Sequence, residues 1–333
     1  MKLSEGVIMA TIDDIVKRAG VSRSTVCRFL NGSNVRTDAK KTIIEAMEQL
    51  NYKKQEIHKY QNIEIEISIA TNFESFQGFS QIVESITHEA DEKEVKVNIV
   101  KRTKEQMESV YENWDNSNSK GVIVVGKNKE DTIYEANMLS KYNIPHIFVN
   151  RIFDEPNFNY VSVDLGKGAY DIVDYLIKKG HKEIAVIGCP DKSQVDFEKL
   201  KGYKKAYEAN NIKWNDELYY ELEDMKDWEN TVKEILTKEK KPTAYFSLCD
   251  SYAIKFIKIA RTMEVKIPKD IALVGMDNID MSEYTSPAIT TVATPFDKMG
   301  RVAVENLVKL ILDEEISSIR TILKHKIIER ESC

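Results

Sequence analysis

Only four cysteines occur in the 333 residues, Cys27, Cys189, Cys249 and Cys333, and no two of them make a C-x-x-C pair. The five histidines fall in no metal-ligand spacing with them. This argues against a zinc site and a disulfide framework and points to a reducing compartment. Proline, at seven, and glycine, at 13, are too few for a collagen-like or low-complexity chain. No run of about 18 apolar residues exists, so no membrane-spanning helix is expected. The opening "MKLSEGVIMA" lacks the apolar core of a signal peptide, so a cytoplasmic location is expected. Catalytic signatures are missing as well: there is no G-x-G-x-x-G after the first strand, no Walker loop, no G-x-S-x-G and no H-E-x-x-H. His181, in "KKGHKEIAVIG", reads as a helix-to-strand turn residue. No enzyme, cofactor or metal is expected.

What is present is a split of charge. The net charge is −6, yet residues 1–60 hold 11 Lys or Arg against seven Asp or Glu, and the rest of the chain holds 37 against 47. A basic head on an acidic body is the footprint of nucleic-acid binding, with chance clustering as the alternative. Within the head, "TIDDIVKRAG" reads as a helix capped by Thr11, with Asp13 and Asp14 in the first turn and an apolar stripe of Ile12, Ile15, Val16 and Ala19. Gly20 permits a sharp turn. Ser22 then caps a second helix with Val26, Phe29 and Leu30 on its buried side. Two short helices about a glycine turn make a helix-turn-helix, whose second helix enters the major groove. Arginine suits a guanine edge, and Ser22 and Thr25 suit phosphates. A third helix near 38–51, with the stripe Ile43, Ile44, Met47 and Leu50, closes the core. On these residues alone a generic helical bundle fits equally well.

From residue 62 onward strand-like and helix-like segments alternate. "IEIEISIA" places Ile63, Ile65, Ile67 and Ile69 on one face of a strand. Helices are expected near 103–115, 130–142, 166–179, 195–210, 227–238 and 250–263, with strands such as "KGVIVVG", "YVSVD", "EIAVIG" and "IALVGMDN" between them. The fold class is therefore α/β: a three-helix head followed by two doubly wound parallel-sheet subdomains that hold a ligand between strand ends. This resembles the architecture of periplasmic sugar-binding proteins. A solute-binding protein is thus a competing reading, opposed by the head and the missing leader.

The stretch "ATIDDIVKRAGVSRSTVCRFLNGS", followed by "IIEAMEQLNY", closely resembles the headpiece of the LacI/GalR family of bacterial repressors. The body segments "DLGKGAYDIVDYLIKKGHKEIAVIG", "VKIPKDIALVGMDNIDMSEYTSPAITTV" and "IIERES" resemble it too. The resemblance implies a repressor that binds double-stranded operator DNA as a homodimer under control of a small, sugar-like effector. It implies base contacts from Arg23, Ser24 and Arg28 and phosphate contacts from Ser22, Thr25 and Asn31. Cys27 stands in place of the family's usual serine and reads as a small half-buried residue. Arg36 stands where a serine usually caps the third helix, and Thr37 is expected to take over that cap. The family start falls at Met9, so residues 1–8 are expected to be disordered.

The resemblance also divides the chain: residues 9–52 as the DNA-binding head, 53–62 as a hinge, and 63–333 as the effector and dimerisation domain. Within the last, one subdomain is expected at 63–160 and 291–318 and the other at 161–290 and 319–330. The hinge departs from the family in lacking its proline, alanine and leucine; Ile57 or Tyr60 would have to serve as the minor-groove wedge. Effector positions carried over one by one are Phe76, Phe79, Asn150, Lys199, Cys249 and Asp277. Lys199 replaces the family's usual arginine and loses its planar fork. Cys249 replaces an asparagine and loses a donor pair and an acceptor. No heptad helix follows the last strand, so a dimer rather than a tetramer is expected.

Overall fold

Thr11 opens the first helix, α1 (Ile12–Ala19), through a reciprocal cap: the Asp14 amide donates to Thr11 Oγ1 at 3.3 Å, and the Thr11 amide donates to the Asp14 carboxylate at 2.8 Å. The Thr11 hydroxyl and amide hold the Asp14 carboxyl below its ordinary value. The helix stops at Gly20, whose φ of +66° is left-handed and whose missing Cβ would meet nothing. Glycine is required there for backbone conformation, not for space. Helix α2 (Arg23–Leu30) starts where the Thr25 amide donates to Ser22 Oγ at 3.2 Å. Helix α3 (Thr37–Gln49) follows. Ile15, Val26, Ile43 and Ala46 are buried between the three, with Ile12, Val16, Ala19, Val21, Phe29, Met47 and Leu50 packed round them.

The computed structural model describes residues 10–30, 35–50, 63–69, 78–126, 128–155, 157–213, 215–223, 225–313, 315–316 and 318–333. The expectations for residues 1–8, Asn31, the hinge with Ile57 and Tyr60, and Phe76 lie outside these residues, as does the side chain of Leu30. Two details of the head differ from expectation. Thr37 does not cap α3: it is already the first helical residue, and the capping position is Arg36, which makes no side-chain cap bond. Ile44 is exposed and Ala46 buried. At about 100° per residue, the face that holds Ile43, Ala46, Met47 and Leu50 turns Ile44 outward.

The chain divides into two compact units, residues 1–61 and 62–333. The second is built on two six-stranded sheets. The first has the order β11-β5-β4-β3-β1-β2, from β1 (Glu64–Ile69), β2 (Lys96–Lys101), β3 (Gly121–Val125), β4 (His146–Val149), β5 (Tyr160–Val163) and β11 (Arg320–Leu323). The second has the order β12-β10-β9-β8-β6-β7, from β6 (Ile184–Gly188), β7 (Tyr219–Glu221), β8 (Ala244–Phe246), β9 (Ala272–Asp277), β10 (Thr290–Ala293) and β12 (Lys326–Ile328). All pairings are parallel except β10 with β12. Helices α4 (Gly78–Glu92), α5 (Lys104–Glu112), α6 (Lys129–Lys141) and α11 (Phe296–Leu312) serve the first lobe. Helices α7 (Leu165–Lys178), α8 (Gln194–Ala209), α9 (Trp228–Thr237) and α10 (Asp250–Thr262) serve the second.

The chain crosses between lobes three times, after β5, after β10 and after β11. Residues 161–163 and 319–323 therefore belong with the first lobe and 291–293 with the second, which moves each expected boundary by a few residues. The cause is strand pairing. The Asn150 amide donates to the Val161 carbonyl, and Val292 pairs with Met276, so each apolar run completes one sheet before the chain leaves it. Strand β1 also differs from a half-exposed strand. It lies between β2 and β3, and Glu66 and Ser68 on its other face are buried as deeply as the isoleucines. Each has a partner there: Arg102 grips Glu66 through two bonds of 2.6 and 2.9 Å, and the Ser68 hydroxyl donates to Glu135 at 2.6 Å.

Candidate nucleic-acid interface and ligand cleft

At the start of α2 three hydroxyls gather. Ser22 Oγ lies 2.9 Å from Ser24 Oγ and 2.7 Å from Thr25 Oγ1. They sit at the N-terminus of α2, the place where backbone dipoles attract an anion. Arg23 beside them and Arg28 in the last turn of α2 are both exposed, and Cys27 is half-buried as expected. Arg23 is tethered: its Nη1 donates to Asp13 Oδ1 of α1 at 2.5 Å. The five described residues of the expected DNA-binding set thus share one short helix and its cap.

In the body, the carried-over effector residues stand at strand ends. Asp277 ends β9, Cys249 follows β8, and Asn150 follows β4. Lys199, on α8, is buried at 3% exposure, donates to the Leu248 carbonyl at 2.6 Å and lies 3.6 Å from Asp277 Oδ1. Burial, with Asp277 adding to it, pushes the Cys249 thiol up to about 12. It is a neutral, inert group at ordinary pH. Burial also raises the Asp277 carboxyl, while Lys199 opposes the shift. The structure thus brings Lys199, Cys249 and Asp277 together. Asn150 stands on the other lobe with φ +58°, 8% exposed, and its Oδ1 accepts no hydrogen bond among the described residues. Phe79 lies half-buried in the first turn of α4. His181 sits in the turn between α7 and β6, its Nδ1 3.1 Å from Thr243 Oγ1.

Several residues of this cleft were not singled out from the sequence. Arg151 Nη1 donates to the Asn150 carbonyl at 2.8 Å, and burial lowers the guanidinium to about 10, with Asp196 opposing. Asp196 lies on the opposite lobe, in the first turn of α8, and accepts the Cys189 amide at 3.1 Å. The two lobes also meet where the Lys129 amide donates to the Lys192 carbonyl at 3.3 Å and the Lys129 ammonium sits 5.5 Å from the Phe197 ring. Behind Asp277 the turn is pinned twice. Arg330 donates to Asn278 Oδ1 and to the Ile289 carbonyl, each at 2.8 Å, and the fully buried Asp250 accepts the Ile279 amide at 3.1 Å and the Thr291 hydroxyl at 2.7 Å. The only sequence signal for these pins was the "IIERES" ending, one of the segments that resemble the family.

Asp250 makes a pH prediction. Burial, then Asp277, pushes its carboxyl up to about 7, against the pull of its hydrogen bonds. An unfolded aspartate titrates near 3.9, so the folded chain binds this proton more tightly. Its contribution to stability is present at low pH and is lost as pH rises through about 7. Thermal melts of wild type and Asp250→Asn from pH 5 to 8 should therefore show the gap moving in the variant's favour as pH rises. Parallel curves would refute the assignment.

A family model described as bacterial regulatory proteins of the lacI family matches residues 11–55, and one described as a periplasmic binding protein-like domain matches 173–333. The HTH-type transcriptional regulator MalR of Clostridium butyricum is 31% identical across 97% of this chain and 98% of its own length. The chain belongs to the LacI family. RegA of Clostridium saccharobutylicum is 30% identical, covering 97% of this chain and 99% of its own, and the probable repressor ExuR of Bacillus subtilis is 27% identical over 97% and 98%. Among solved structures, a CelR–cellobiose complex gives a TM-score of 0.72 at 23% identity, over 97% of this chain and 100% of that one. The lac repressor dimer bound to operator and an anti-inducer gives 0.69 at 23%, over 97% and 99%. This LacI-family chain is accordingly a transcriptional regulator with a DNA-binding head, not an enzyme. Among the described residues no helix is long and apolar enough to cross a membrane.

Proposed function

We propose that this LacI-family chain is a repressor that binds a near-palindromic operator as a homodimer, its affinity set by a small sugar-like ligand in the cleft of residues 63–333. The observation that carries the reading is α2 itself: a hydroxyl cluster at its N-terminus beside the exposed Arg23, and a second exposed arginine, Arg28, in its last turn. Arg23, Ser24 and Arg28 are assigned to base edges, and Ser22, Thr25 and Asn31 to phosphates. Residues 9–52 form the head and 53–62 the hinge, with Ile57 or Tyr60 as wedge. Arg28→Ala should weaken binding to the selected operator by roughly 1–3 kcal/mol, measured by titration on duplexes enriched from a random library. An equal loss on random DNA would reassign Arg28 to a phosphate.

A homodimer suits a two-headed reading of a palindrome. Its support here is the relative solved as a dimer on operator, together with Met281 and Tyr284, exposed at 55% and 77% just beyond β9. Two exposed large apolar groups within four residues are candidates for a surface that a second copy covers. Tyr284→Asp should sediment as a monomer and lose operator affinity while keeping the wild-type far-ultraviolet circular dichroism, with a lower melting temperature because the partner's stabilisation is lost; a dimer in that variant would remove this face from the interface.

The ligand reading rests on Asn150 Oδ1, a buried acceptor that calls for a hydroxyl or amine donor, and on the Lys199–Asp277 pair opposite. The ligand closes the lobes and shifts DNA affinity by binding the two states unequally. A thermal-shift panel of sugars, sugar phosphates, nucleosides and purines on the full chain tests it. A compound that raises the melting temperature but leaves the operator footprint unchanged would sink the coupling.

A further inference from the structure

We infer that Asp13 is a specificity-determining residue of the DNA-reading head: it holds Arg23 in a reading posture and guards it against phosphates. The inference rests on the assignment of Arg23 to a base edge. Asp13 and Asp14 both lie in the first turn of α1, yet they do different things. Asp14 is occupied by the cap, accepting the Thr11 amide and hydroxyl at 2.8 and 2.7 Å. Asp13 is turned to α2, where its Oδ1 takes the Arg23 guanidinium at 2.5 Å. Both side chains are more than half exposed, at 59% and 64%. An ion pair this exposed adds little to stability, so the fold itself does not account for it.

The pair acts on recognition in two ways. A free arginine explores many rotamers, and these are lost on docking. A carboxylate that spends one of the five N–H donors leaves enough for a bidentate contact and fixes where the fork points. The same carboxylate is an anion at the mouth of the reading helix. It repels a phosphate that would otherwise capture Arg23 in a wrong register, so random-sequence binding is weakened more than binding to the preferred site. Arg28 lies one turn further along α2 and serves as the internal control.

The test is selection of full-length protein on a randomised duplex library, for wild type, Arg23→Ala, Asp13→Ala, Asp13→Glu and the double alanine variant. Asp13→Ala should relax the same motif positions as Arg23→Ala and leave those of Arg28 sharp. Asp13→Glu should restore them, and the double variant should match Arg23→Ala. Affinity for the wild-type preferred duplex should fall about two- to tenfold in Asp13→Ala. On random duplex it should rise, with a salt slope steeper by about one phosphate contact, or ~0.9. Two results would overturn the inference: a motif unchanged by Asp13→Ala, or one blurred equally at every position. If Arg23→Ala itself changes no position, the base-reading assignment of Arg23 fails and the inference falls with it. A circular-dichroism melt of each variant separates either result from loss of the head fold.

Discussion

Gly202→Ala should destabilise the body by about 3 kcal/mol or more, although alanine is the better helix former by roughly 1 kcal/mol. The reason is backbone meeting backbone. Where α8 crosses α7, a Cβ on Gly202 would lie 2.0 Å from the Gly166 carbonyl oxygen, 2.8 Å from its carbon and 3.0 Å from Ala169 Cβ. No side chain can turn aside to relieve this, so the helices must separate. Their shared face is the core of the second lobe, with Ile172, Leu200, Tyr203 and Ala206 buried in it. Lys199 lies one turn before Gly202 on the same helix, so the shift also breaks its bond to the Leu248 carbonyl. Urea unfolding of the full chain measures the cost. A variant as stable as wild type would show that the crossing has slack, because propensity alone predicts a gain.

The parts of this protein that could be read from sequence are those set by neighbours in the chain. The Thr11 cap, the Gly20 turn and the Ser22 start of α2 are local chemistry, and each stands where it was expected. The body strands and helices announce themselves by periodicity, whereas the approach of Lys199 to within 3.6 Å of Asp277 is seen only in the folded chain. The differences arise where distant residues decide. Nothing within β1 says that both faces are covered; Glu66 is buried because Arg102, 36 positions away, neutralises it. The lobe boundaries moved because β5, β10 and β11 pair before the chain crosses, and pairing partners lie far off in sequence. Asp250 and Arg330 escaped notice as site residues because they touch no ligand position directly. They hold the turn after Asp277, whose residues 277 and 278 both have positive φ, and only a folded chain shows what must be held. The Asp13–Arg23 pair is of the same kind: two helices must be placed before the acid and the arginine meet.

Lys199→Met should remove ligand binding and cost the body about 3 kcal/mol at pH 8, the lower end of what breaking a buried ion pair costs. The lower end applies because Asp277 keeps 17% of its side chain exposed. Methionine fills the volume of the lysine stem but offers no donor and no charge, so the Leu248 carbonyl loses its donor and the Asp277 carboxylate its counter-charge together. The size of the loss depends on pH, and its sign can be worked out. Burial already raises the Asp277 carboxyl, and Lys199 is the group that opposes the rise. Without Lys199 the rise is larger, so the folded variant takes up a proton that the unfolded chain releases, and the penalty shrinks as pH falls. The variant should therefore lie closer to wild type at pH 5 than at pH 8. Asp277→Asn in the Lys199→Met background should recover part of the pH 8 loss, because it removes the stranded charge without restoring the donor. A loss that is flat with pH and unchanged by the second substitution would mean that Lys199 stabilises the lobe through its packing and its bond to Leu248, and that its charge does not matter.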